Sequence, residues 1–84
     1  MSIEDQAACV QTREDLVAFI ETLSTDFMSN QESWANVDLA SFLEAMSAWS
    51  QVMEQCYKHR GETINAIPPW RVFADILMAA RIYE

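Results

Sequence analysis

Cys56 and His59 stand three residues apart in QCYKHRGE, a spacing that puts a thiol and an imidazole on one side of a helix end. Such a pair serves two chemistries: half of a zinc site, or a thiol activated by a neighbouring base. A structural zinc site takes four ligands, yet the other cysteine, Cys9, lies 47 positions earlier and there is no second histidine. Glu62 adds a carboxylate without completing the set. Nucleophilic catalysis would have to rely on the same lone histidine. The single glycine, Gly61, excludes the glycine-rich loops that cradle phosphates or dinucleotides. The sequence therefore predicts no catalytic residue, no metal site and no cofactor. Cys56 reads as part of an apolar seam, and His59 as a helix end.

Trp34 and Asn36 are less easily absorbed, because they precede a helix cap and periodicity does not account for them. Either Trp34 folds back onto a neighbouring helix while Asn36 ties down the loop, or Trp34 is an exposed anchor for a partner. Met28, Met46, Met53 and Met78 pose a similar choice between core filler and an adaptable groove.

Three main helices must position these groups, near residues 13–28, 39–59 and 69–83. The first is capped by Thr12, carries Glu14 and Asp15 in its opening turn, and repeats Leu16, Ile20, Leu23 and Phe27, with Val17 and Phe19 widening the stripe. The second starts at Asp38, with Val37 and Phe42 at the two ends of a hydrophobic staple. Its seam is Leu39, Phe42, Met46, Trp49, Met53 and Cys56, flanked by Leu43 and Tyr57. Glu54 and Lys58 are spaced for a surface pair, and Gly61 supplies the left-handed stop. Ile64 and Ile67 are expected to tuck inward before Pro69 opens a third helix that is apolar on nearly all sides, and so buried between neighbours or against a second subunit. Residues 1–11 form either a loose arm or a short helix capped by Ser2, with Ile3, Ala7 and Val10 on one face. The expected fold class is all-α: a compact bundle in one domain.

Composition narrows the function. Half the chain is hydrophobic, 51%, and nine of its 84 residues are aromatic, enough for a core and against disorder. The net charge of −8 is uneven, −9 over residues 1–57 and +1 over 58–84. Nucleic acid and anionic membranes are poor partners for such a surface; a basic protein is a good one. The opening MSIEDQAACV lacks the basic start and apolar core of a secretory signal, and no apolar run reaches the roughly 20 residues of a membrane span. A cytoplasmic protein with free thiols is expected.

One stretch carries a resemblance. Glu32, Trp34, Asn36, Leu39, Phe42, Leu43, Glu44, Ala45, Met46, Ala48 and Trp49 match E-x-W-x-N-x-x-L-x-x-[FY]-L-E-A-[LM]-x-A-W, and the tail PWRVFADILMAARIYE closes on an aromatic helix ending in Y-E. In both respects the chain, from about Thr12 onward, resembles a small bacterial family of unknown function. The resemblance implies a compact helical domain with no assigned activity, and similar proteins beside toxin genes would suit an immunity role. The resulting expectation is a small acidic protein-binding module, an immunity protein occluding a basic toxin domain being the sharpest form of it. The alternative is a self-associating structural or regulatory protein, a homodimer through the third helix. Glu14, Glu21, Glu44 and Glu54, turned outward by helical spacing, and Trp34 are the candidate partner-binding residues.

Overall fold

The computed structural model describes residues 2–83. Four α-helices, α1 (Ile3–Ala8), α2 (Arg13–Ser29), α3 (Leu39–His59) and α4 (Pro69–Ala80), are joined by loops that contain short 3₁₀ turns at Gln31–Ser33 and Ile64–Ala66. The described residues contain no strand, so the chain is an all-α bundle of three main helices with a short extra N-terminal one.

Local chemistry sets the boundaries. The Ser2 hydroxyl accepts from the Asp5 N–H at 3.0 Å while the Asp5 carboxylate accepts from the Ser2 N–H at 3.5 Å, a reciprocal cap that starts α1. Thr12 and Asp38 accept from the third N–H of α2 and α3, at 3.1 and 2.8 Å. At the end of α3, Gly61 takes φ +75°, and the Gly61 and Glu62 N–H groups donate to the Lys58 and Tyr57 carbonyls at 2.9 and 2.8 Å. Pro69 opens α4, where its missing N–H leaves nothing unpaired.

Helix α4 is the hub: α1, α2 and α3 all pack on it, while α2 and α3 scarcely touch each other. The core is accordingly divided. On one side Ala7, Val10, Leu16, Phe19 and Leu23 meet Ala74 and Met78. On the other Trp49, Tyr57 and Ile67 meet Ala79, with Met53, Cys56, Ile64, Val72, Ile76 and Tyr83 packed around them. Ile3 lies against the first cluster, so of the two forms expected near the N-terminus the described residues take the short helix capped by Ser2, over Ile3–Ala8.

Several expectations are corrected. Helix α2 is rotated so that Leu16, Phe19 and Leu23 face the core while Val17 and Ile20 are exposed, because its buried side answers two partners, α1 and α4. Leu39, expected at the head of the α3 seam, is 72% exposed; α3 begins beyond the reach of α4, and the seam closes only from Ala45. Tyr57, expected on the flank, is fully buried. Helix α4 stops at Ala80, short of residue 83, because loop groups take its last carbonyls. It is also not covered all round, since Trp70 and Phe73 stay open to solvent. Glu54 and Lys58 form no ion pair; the pairs among the described residues are Arg13–Glu14, Arg71–Glu62, Arg71–Asp75 and Arg81–Glu4.

Candidate functional site

Trp34 is half-buried rather than a free anchor. Its indole N–H donates to Asp26 Oδ2 at 2.7 Å, and its ring meets Phe27 edge-on at 5.1 Å and stacks on Phe42 at 6.0 Å. The aromatic trio ties the 30–38 loop to α2 and α3, and the hydrogen bond answers the one polar atom of the indole. Asn36 reaches further than its own loop. Its amide N–H groups donate to the Ala80 and Tyr83 carbonyls at 2.9 and 2.8 Å, and the Ala35 and Asn36 backbone N–H groups both donate to the Arg81 carbonyl. A side chain 44 residues earlier in sequence thus supplies the C-terminal cap of α4.

The four outward glutamates are exposed, as helical spacing implies, but they do not share one face. Glu14 and Glu21 lie on the outer side of α2, and Glu14 pairs with Arg13 at the surface. Glu44 lines a shallow depression of about 200 Å³ with Asn36, Ser41, Ala45, Ala48 and Tyr83. Glu54 lies further along α3 and lines none of the surface depressions formed with α4.

Between α2 and α3, where α4 forms the floor, runs an apolar groove. Ile20, Leu23 and Phe27 make one wall, Trp34 and Phe42 the end, and Phe73 and Leu77 the floor. Past Phe73 the groove continues between Leu43 and Met46 of α3 and Ile76 of α4. It exists because α2 and α3 both pack on α4 but scarcely on each other. Phe73 is 47% exposed, a large apolar side chain left uncovered. Met46 lines the groove and Met78 fills the core, so the methionines divide between the two roles.

Sequence reading missed a buried ionic chain. The Tyr57 hydroxyl donates to Asp75 Oδ2 at 2.6 Å; Arg71 lies 3.6 Å from the same carboxylate and grips Glu62 with two hydrogen bonds at 3.0 and 3.3 Å. Asp75 is 2% exposed, and that burial raises its carboxyl above the ordinary range against the opposing pull of Tyr57 and Arg71. Burial and the adjacent carboxylate likewise push the Tyr57 hydroxyl up. The only hint in the sequence was a lone acid amid the apolar turns of the last helix. Arg81 is similarly internal, 8% exposed and bound to Glu4 at 2.7 Å.

Cys56 is half-buried against the second cluster, whereas His59 is exposed. Among the described residues, no group of three or more His, Cys, Asp or Glu is placed to hold a metal ion. No described helix is long and apolar enough to cross a membrane.

Comparison with curated proteins and with solved structures finds no match. Residues 12–84, from the cap of α2 to the end of the chain, match the model of a family of unknown function, DUF7660, and the chain belongs to that family.

Proposed function

We propose that this protein is a non-catalytic binding module for a basic protein partner. The observation that carries the reading is where its charges lie. Of five Lys and Arg side chains, Arg71 and Arg81 are turned into internal ion pairs, so they do little to offset the surface acids. Glu21, Glu44 and Glu54, by contrast, are exposed and make no ion pair among the described residues. With those pairs and their acids, Glu4, Glu62 and Asp75, set aside, ten of the 13 acids remain against three of the five bases, Arg13, Lys58 and Arg60, and such a field accelerates encounter with a basic surface. In its sharpest form the partner is a basic toxin domain and the protein its immunity factor, acting in the cytoplasm. The test is affinity capture from host lysate at low and high salt, followed by measurement on the purified pair. A stoichiometric basic protein released by salt supports the reading, and rescue of growth on co-expression supports the immunity form. Acidic or salt-indifferent partners overturn it.

A second reading, self-association, is favoured by the groove over Phe73, Leu43 and Ile20. The two readings differ in the sign of the salt effect. Two copies, each at −8, repel, so added salt strengthens a homodimer but weakens a complex with a basic partner. Sedimentation at two salt concentrations separates them.

A further inference from the structure

The depression beside Glu44 has a chemical bias set by what its neighbours have already spent. Asn36 uses both amide hydrogens on the Ala80 and Tyr83 carbonyls, and its Oδ1 accepts no hydrogen bond among the described residues. Because those two partners are carbonyls, the amide cannot be turned the other way round. The Ser41 hydroxyl donates to Asp38 Oδ2 at 3.0 Å and retains only acceptor capacity. The Glu44 carboxylate is exposed and without an ion-pair partner among the described residues. Ala45 and Ala48 add a small apolar surface, and Tyr83 a half-buried ring.

We propose that this depression is the receiving site for one arginine or lysine side chain of a protein partner, with Glu44 as its counter-ion and Asn36 Oδ1 and Ser41 Oγ as further acceptors. A site whose side-chain groups of settled hydrogen placement can only accept is matched by a ligand that can only donate. Among side chains, only Arg and Lys are cationic donors with no acceptor at neutral pH. The two alanines leave room for the aliphatic stem. Asp38, whose carboxyl is held below its ordinary range by the Ser41 N–H and hydroxyl, keeps a second negative charge one turn away. The inference rests on the basic-partner reading and gives it one fixed point on the surface.

Three small probes test it by NMR titration of the intact chain: acetyl-arginine amide, acetyl-lysine amide, and acetyl-citrulline amide as the neutral isostere of arginine. Saturable shifts confined to Ser41, Glu44, Ala45, Ala48 and Tyr83, given by either cation and absent with citrulline, are expected. Glu44→Gln should weaken the cation by about fivefold or more, as removal of a charge-assisted contact does. Ala48→Leu, which fills the depression and leaves every charge in place, should weaken it comparably. Equal response to citrulline, or retained affinity in both variants, overturns the site. Shifts spread over Glu21 and Glu54 also overturn it, yet leave the acidic-surface reading standing. That reading fails separately, if the captured partner is not basic.

Discussion

The hydroxyl of Tyr57, near the end of α3, donates a 2.6 Å hydrogen bond to the carboxylate of Asp75 in α4, both side chains shut away from solvent. This polar contact joins the two helices at the centre of an apolar interface, and a satisfied polar group there is tolerated where an orphaned one is not. Tyr57→Phe keeps the ring and removes the donor, leaving a buried carboxylate one partner short. A loss of about 1–3 kcal/mol is expected in urea unfolding. A neutral result would show that Arg71 alone satisfies Asp75.

Asp75 also makes a pH prediction. Its carboxyl is raised above the ordinary value of 3.8, chiefly by burial, so the folded state binds this proton more tightly than the unfolded chain does. The stabilising share from protonation is complete below the ordinary value and is lost as pH rises through the folded one. The amide of an Asp75→Asn variant has no proton to gain or lose over this range. The stability advantage of the native chain over that variant should therefore be largest near pH 3 and shrink toward pH 7. A gap that widens with pH would mean that the Arg71 ion pair outweighs the cost of burial.

How far the sequence reached can be judged from these same residues. Caps and stops at Ser2, Thr12, Asp38, Gly61 and Pro69 were legible because each depends on groups within a few positions. Helix existence followed from periodicity. Which face is buried did not: Ile20, Leu39 and Phe73 have core-type spacing but are exposed, because three helices compete for the sides of α4 and the groove is left between them. The internal ties of Asp75 and Arg81 were not legible either, since their partners, Tyr57 and Glu4, come from 18 and 77 residues away. The outward direction of Glu44 was legible. Its neighbours Asn36 and Tyr83 were not, since a contact across 47 residues has no local signature.

Asn36 offers a sharper test of such a contact. Asn36→Ala frees the Ala80 and Tyr83 carbonyls and should cost about 1–3 kcal/mol. Asn36→Asp is nearly isosteric, yet at pH 7 it turns a carboxylate toward two carbonyl oxygens. It should be at least as destabilising as alanine and recover partly in acid, when it can donate. Thermal melts of the three chains at pH 4 and 7 give the ranking; aspartate matching asparagine at pH 7 would refute the cap.

Trp49 is 5% exposed and meets Tyr57 edge-on at 6.2 Å in the second cluster. Trp49→Ala removes that contact and opens a cavity against α4, at a cost of about 3–5 kcal/mol. For a chain of this size that approaches the whole stability, so partial unfolding at 25 °C is expected in circular dichroism. A loss under about 1 kcal/mol would place Trp49 outside the core.

Replacing Glu14, Glu21, Glu44 and Glu54 together with Gln halves the net charge, from −8 to −4, at four exposed residues. The four residues lie on different sides of α2 and α3, so their joint effect is a long-range field rather than one contact. Fields of that kind act on encounter: association with a basic partner should slow and lose part of its salt dependence, while dissociation changes less. The melting temperature should stay nearly constant, since isolated surface charges contribute little to folding. The same variant bears on the self-association reading. If α4 and its groove pair two copies, lowering the repulsion should strengthen the dimer, which sedimentation at low salt would register. A slower association with a basic partner and an unchanged sedimentation profile together favour the heteromeric reading. An unchanged association rate would reduce the acidic surface to a solubility feature.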